Sequence, residues 1–418
     1  MTIIDHYAKE KQRFLENCIK CGLCAEECPI LPYTEIGEVS AQEIQEDVFD
    51  FLENGILSQN VYTKAFACME CFKCTAGMCP EGLNPMLINE LIKSEYISRG
   101  LAKRAYGDAV RPDSVHRVLA SVQVSGADFT KITTPSDKQH ARYVFFPGCN
   151  VYFQPEKILN ALDIMDEIGD DYAFLPGLDH CCGDNWLFLG DIAGASQRAE
   201  ALVAALSGIK PEAVILWCPT CQCRFDKTIA PSLDVPFKTL SFPQYLAENM
   251  NKLELSDASA GTVTLHEPCK SAYTELDLYG PREVLRKLPG VTLKEMEHHG
   301  SKTICCGSGA ISWFQESCAQ FREDRLKEAA KTGAERLVAV CHYCGQTFAA
   351  EEERFNFSVT NYVNLVANAM GTYRDDLYKK YTLWHDLDRI LKDANDNILE
   401  SPFEKGRIIE VLQTVFVK

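Results

Sequence analysis

Residues 143–149 read YVFFPGC, and residues 262–269 read TVTLHEPC. In each, a short apolar run ends in a turn that delivers a cysteine. The echo continues along the chain: CCGDN (181–185) against CCGSG (305–309), AVILWCPTC (213–221) against RLVAVCHYC (336–344), and QYLAENM (244–250) against NLVANAM (364–370). The four offsets are 120, 124, 123 and 120 residues. A near-constant offset over four blocks marks a duplicated unit of roughly 110 residues. The runs YVFF, AVILW, TVTL and LVAV have the length and unbroken hydrophobicity of buried strands. Helical stretches lie between them: Pro155 to Ile168, with Pro in the first turn and Gly169 behind it, then 191–206, 281–288, and 315–331 with Gly333 beyond. Alternating strand and helix predict two tandem α/β domains with parallel sheets, over 141–255 and 256–370. The cysteines follow strand ends, where open α/β sheets gather ligands.

The chain has 418 residues, 46% of them hydrophobic, which are globular proportions. With 59 acidic and 42 basic residues the formal charge is −17, and so acidic a surface repels nucleic acid. No stretch reaches the ~20 apolar residues of a membrane helix. MTIIDHYAKEKQRFLEN has no apolar leader core, so a cytoplasmic protein is expected. Twenty cysteines in a chain of this length, without a secretory leader, point to metal or redox chemistry rather than a disulfide scaffold. Eighteen fall into four spaced groups; Cys223 is expected to be a spare thiol, and Cys318, beside Phe314 and Phe321, to pack in a core.

The first two groups are CIKCGLCAEECP, with Cys18, Cys21, Cys24 and Cys28, and CMECFKCTAGMCP, with Cys68, Cys71, Cys74 and Cys79. C-x2-C-x2-C-x3-C-P is the bacterial ferredoxin run that wraps a cubane [4Fe–4S] cluster; the second run departs from it by one extra residue before Cys79. Zinc would prefer two separated C-x2-C pairs. In two-cluster ferredoxins the fourth cysteine of each run serves the other cluster. That rule assigns Cys18, Cys21, Cys24 and Cys79 to one cube, and Cys68, Cys71, Cys74 and Cys28 to the other. A capped helix from Ser40 and another from Asn84-Pro85 to Gly100 make the module, 1–105, helical. Residues 106–140 read as a linker.

Each repeat carries C-x(31–35)-CCG-x(33–34)-C-x2-C. This resembles the cysteine-rich CCG domain of the heterodisulfide reductase catalytic subunit, which recurs in iron–sulfur subunits of glycolate oxidase and anaerobic glycerol-3-phosphate dehydrogenase. With the ferredoxin module in front, the layout is similar to the form in which the cubane and catalytic subunits are fused. The resemblance implies a non-cubane [4Fe–4S] cluster on each five-cysteine set. One set is Cys149, Cys181, Cys182, Cys218 and Cys221; the other is Cys269, Cys305, Cys306, Cys341 and Cys344. Some relatives have lost cysteines from one half, whereas here both sets are complete. Gly183 and Gly307 are expected at positive φ or at a close approach. His266, Lys270 and His342 flank ligand positions and are candidate proton donors.

No G-x-G-x-x-G or G-x-x-x-x-G-K motif is complete, so no flavin, nicotinamide or ATP site is expected on this chain. The resemblance implies an oxidoreductase component of an anaerobic multi-subunit complex. It would draw electrons from a flavoprotein or other redox subunit and reduce a small disulfide or related acceptor. A membrane-bound quinone- or methanophenazine-linked partner would place it at the inner face of the cytoplasmic membrane. The alternative is a pure electron-transfer subunit linking a flavoprotein to a quinone-reducing, bifurcating or acyl-CoA-reducing complex. Residues 371–418 lie beyond the repeats. There 373–391 reads as one charged helix and 406–418 as an apolar-faced one, packed on the chain itself or docking a partner.

Overall fold

The computed structural model describes residues 1–102 and 109–417. Each repeat forms a four-stranded, all-parallel sheet. In the first, β1 (Tyr143–Phe146), β2 (Tyr172–Phe174), β3 (Ala213–Leu216) and β4 (Lys238–Ser241) lie in the order β2-β1-β3-β4. In the second, β5 (Gly261–His266), β6 (Val291–Leu293), β7 (Arg336–Ala339) and β8 (Ser358–Thr360) repeat it as β6-β5-β7-β8. The registers match too: Phe146 faces Leu216, and His266 faces Ala339. The runs that announced the repeat are the central strands, whose side chains are buried on both faces.

The helices start and stop where local chemistry says. Pro155–Ile168 ends on Gly169 in the left-handed region, and Pro85–Ser98 is capped by Asn84. Ala41–Asn54 is capped by Ser40, whose hydroxyl accepts from the Glu43 amide. Gln315–Lys331 runs as expected.

The two repeats face each other through a swapped pair of helix contacts. Pro155–Ile168 of the first packs on Tyr362–Met370 of the second, and Phe242–Asn249 of the first packs on Gly280–Lys287 of the second. Each contact is the image of the other under an approximate two-fold relation, as at an isologous dimer interface. Trp217 stacks on Tyr362 at 5.7 Å across this seam, and Asn160 donates to Asn364 at 3.2 Å. One apolar core runs from the front helices (Ile3, Tyr7, Phe66) through β1 and β3 into β5 and Tyr362–Met370.

Two expectations need correction. The 106–140 stretch holds helices Val115–Gln123 and Gly126–Thr133, each opened by a serine cap (Ser114, Ser125); at nine and eight residues they are too short to show a clear period. Its expected boundary with the front module falls at 103–108, outside the described residues. The single helix expected over 373–391 is two, Leu377–Trp384 and Leu387–Asp393. They break at His385, whose φ is +51°, and Asp386 caps the second. Together with Lys405–Phe416 they bury Tyr381, Ile390, Val411 and Leu412 against Val118, Leu119 and Val122, so the apolar face of the tail is covered by this chain. Among the described residues no helix is long and apolar enough to cross a membrane.

Candidate metal centre

Cys18 follows the helix Ile3–Asn17 as its cap, and Gln45 lies against both Cys24 (3.0 Å) and Cys18 (3.7 Å). Burial raises the pKa of the Cys18 thiol, and so do Cys24, Cys79 and Cys21 beside it. Cys79 of the second run therefore sits with the first. Cys28 crosses the other way: it lines a small cavity with Cys68, Cys71 and Cys74, which Cys24 also reaches. Burial and the neighbouring Cys68 push Cys28 up. Lys64 is buried beside Cys24, Cys74, Cys28 and Cys68, with only the Asn89 side-chain oxygen near it at 3.5 Å. Among the described residues no carboxylate pairs with it. A buried ammonium facing four thiols calls for an anion there, and a thiolate-ligated iron–sulfur cluster supplies one, so the residues fit the group.

The ten cysteines of the two repeats line one cavity of about 170 Å³. In the first set, sulfur separations are 3.7 Å for Cys149–Cys181 and 3.4 Å for Cys221–Cys182; in the second, 3.6 Å for Cys305–Cys269. These are contacts between free thiols, since a disulfide spans ~2.05 Å. Gly183 (φ +85°) and Gly307 (φ +71°) turn the chain after each Cys-Cys pair; a Cβ on them would lie 2.8 Å from the Ala195 oxygen and 2.5 Å from the Cys318 oxygen. The neighbouring Cys305 and Cys344 thiols, then His266, hold Cys306 well below the ordinary thiol range, while Cys305 and Cys344 are themselves pushed well above it. Cys218 is likewise lowered by Cys221. Crowded, buried sulfurs of this kind need a shared cation to ionise together, and iron meets that need.

The walls of the cavity differ. Where the second repeat lines it with Lys270, His342 and Tyr343, the first has Asn150, Pro219 and Thr220; behind the lining, His266 stands where the first repeat has Phe146. His342 accepts at Nδ1 from the Trp217 indole N–H (3.4 Å), and burial lowers its pKa to about 3. Lys270 donates to Asp184 at 2.9 Å. Cys223 and Cys318 lie outside the cavity lining; both are buried, and burial raises them to about 12 and about 11.

Sequence reading missed a buried ion network beneath this cavity. Arg224, fully buried, donates to Glu70 (2.6 Å), Glu90 (2.5 Å) and Asp184 (2.5 Å); Lys93 lies 3.5 Å from Glu70, and Tyr7 donates to Glu90. Burial pushes Glu70 up to about 7 against the pull of Arg224. The available signal was a charged residue inside each cysteine motif, Glu70 in CMEC and Arg224 next to CQC. The network ties the front module to both repeats. Cys71, raised by burial and then by Cys269, marks where the second ferredoxin run meets the second repeat.

At that junction a Cβ on Gly309 would lie 2.8 Å from the Met69 Cα and oxygen. Gly309→Ala is expected to cost about 1–3 kcal/mol through overpacking, read as a lower denaturant midpoint. An unchanged midpoint would mean that the contact yields freely.

The cysteine-rich CCG domain matches residues 143–226 and 263–349, and the 4Fe-4S dicluster domain matches residues 14–83. One component of the dihydromethanophenazine:CoB–CoM heterodisulfide reductase of Methanosarcina barkeri is 24% identical over 390 residues, covering 85% of this chain and 94% of the relative. One component of the fumarate reductase (CoM/CoB) of Methanothermobacter marburgensis is 24% identical over 376 residues, covering 87% and 73%. The EtfAB:quinone oxidoreductase of Syntrophomonas wolfei is 21% identical over 392 residues, covering 79% and 54%. The chain thus carries two parallel-sheet CCG domains behind a helical 4Fe-4S dicluster domain, and its homologues are this heterodisulfide reductase component and related iron–sulfur subunits.

Proposed function

We propose that this chain is the acceptor-reducing component of a multi-subunit oxidoreductase, and that its acceptor is a small disulfide or a closely related two-electron acceptor. The observation that carries this reading is that both complete five-cysteine sets open on one cavity. Cys18, Cys21, Cys24 and Cys79 would hold one cubane cluster, and Cys28, Cys68, Cys71 and Cys74 the other. The two CCG sets would hold one non-cubane [4Fe–4S] cluster each. When bound, these clusters accept and release electrons one at a time.

Cleaving a disulfide takes two electrons and two protons and yields two thiols. The chain's own residues prepare a place for it. Nine of the ten cysteines that line the cavity are buried and Cys269 is half-buried, and the Arg224 network fixes Asp184 and Lys270 at its edge. Met69 and Glu70 bring the second ferredoxin run to the same cavity. Since no flavin motif is complete, electrons would come from a flavoprotein or other redox subunit, in a cytoplasmic complex that also docks to a membrane-bound quinone- or methanophenazine-linked partner. The named relatives are a CoB–CoM heterodisulfide reductase, a fumarate reductase (CoM/CoB) and an EtfAB:quinone oxidoreductase.

The test is an EPR titration of the oxidised protein with a panel of small thiols. A thiol that binds as its thiolate, giving its proton to solvent, would add negative charge beside an iron site and so change its spin state and potential. A new paramagnetic signal with one thiol is expected, lost in Cys149→Ser or Cys269→Ser. Silence across the panel, together with rapid electron exchange with a flavoprotein, would replace this reading with that of an electron relay.

A further inference from the structure

His266 is the last residue of β5, fully buried, and sits where the first repeat has Phe146. Its ring packs edge-on to Phe348 at 4.7 Å. Its Nδ1 lies 3.1 Å from Nε of Arg325. A guanidinium can only donate, so Nδ1 accepts and carries no proton. The neutral ring is then protonated at Nε2.

Arg325 is in no position to turn away. It too is fully buried, and all five of its N–H groups have acceptors. Nε serves His266. Nη1 serves the His298 oxygen (2.7 Å) and Glu328 (2.7 Å), and Nη2 serves Thr303 (3.0 Å) and Glu267 (3.5 Å).

The other end of the ring faces sulfur. Nε2 is buried with no hydrogen-bond partner, and a ring nitrogen lies within 4.8 Å of the Cys306 and Cys344 sulfurs. Two roles are open to a buried imidazole beside two thiols, metal ligand or hydrogen-bond donor. A ligand needs a lone pair on the nitrogen that faces the metal, and here that nitrogen carries the proton. The geometry points to the second role: His266, locked in its Nε2–H tautomer by Arg325, donates a hydrogen bond to the Cys306 sulfur and raises the reduction potential of the cluster held by the second repeat. A hydrogen bond to a ligand thiolate draws electron density off the sulfur and favours the reduced, more negative state. Phe146 offers the first repeat no such donor, so the two clusters are inequivalent. The inference rests on the reading above that Cys269, Cys305, Cys306, Cys341 and Cys344 hold a cluster; the iron content of the unmodified protein tests that reading separately.

The experiment is a redox titration followed by EPR on the unmodified protein, His266→Phe and His266→Gln, with iron counted in each. His266→Phe is expected to keep its full iron and to lower the midpoint of one non-cubane signal. The change is about tenfold in the reduction equilibrium, or 59 mV for a one-electron couple, with the other signal unmoved. His266→Gln, which keeps an acceptor for Arg325 and an N–H for Cys306, is expected to restore most of the shift. Unmoved midpoints in a folded, fully loaded His266→Phe protein would reduce His266 to packing. Loss of about four iron in His266→Gln would make it a ligand. Either result overturns the inference. A cluster-independent check is the 15N spectrum of histidine-labelled protein: the His266 resonance, identified by its loss in His266→Gln, should report Nε2–H, and an Nδ1–H tautomer would end the argument.

Discussion

Protein purified without oxygen is expected to hold about sixteen iron and about sixteen acid-labile sulfide per chain, from four clusters of about four iron each. Replacing Cys305 or Cys306 by serine should lower both counts by about four. It should also remove one non-cubane EPR signal while both cubane signals remain, because the cubane thiols lie on the 18–28 and 68–79 loops of another domain. A count near eight in the unmodified protein would mean that only the dicluster domain is loaded. The cavity between the repeats would then have lost its chemistry, and the disulfide reading with it. Loss of the cubane signals in a Cys306 variant would show instead that the sets are partitioned differently.

The second large effect is expected at Arg224. Surface pairs such as Arg99–Glu95, 2.7 Å apart with both side chains more than a third exposed, contribute ~0–1 kcal/mol. Arg224 is different because it alone among the described residues joins two buried carboxylates, Glu70 and Glu90, and half-buried Asp184. Arg224→Met leaves Glu70, Glu90 and Asp184 with only Lys93 and Lys270 as cations and the Tyr7 hydroxyl on Glu90. Removing one partner of a buried ionic group costs about 3–5 kcal/mol, a large share of the ~5–15 kcal/mol by which domains are stable. The expected result is a strongly lowered urea midpoint, partly recovered in Arg224→Met with Glu90→Gln, which removes one stranded charge. A loss below about 0.5 kcal/mol, the range of ordinary surface substitutions, would show that the network adapts without its arginine.

The central strands were legible because they are covered on both faces, so β1, β3, β5 and β7 appear as unbroken apolar runs. The edge strands were not. β4 is KTLS and β6 is VTL, short and half exposed, and nothing in such residues marks a strand. The helix Pro155–Ile168 was readable to the residue because Pro and Gly punctuate both ends. The tail helices were not, because His385 adopts a left-handed backbone that histidine does not advertise. Cysteine spacing grouped the thiols. That both five-cysteine groups open on one cavity follows from the swapped helix packing, which pairs residues about 200 apart in the chain, as Asn160 with Asn364. Arg224 was invisible for the same reason: its partners Glu70 and Glu90 come from another domain.

A true two-fold dimer of one such unit would be obliged to keep its two cysteine walls identical, and a bound molecule could lie either way round in it. Joining the two copies in one chain lifts that obligation. Where one wall presents Lys270, His342 and Tyr343, the other presents Asn150, Pro219 and Thr220. The two walls thus differ in chemistry, and an unsymmetrical molecule placed between them has a head and a tail.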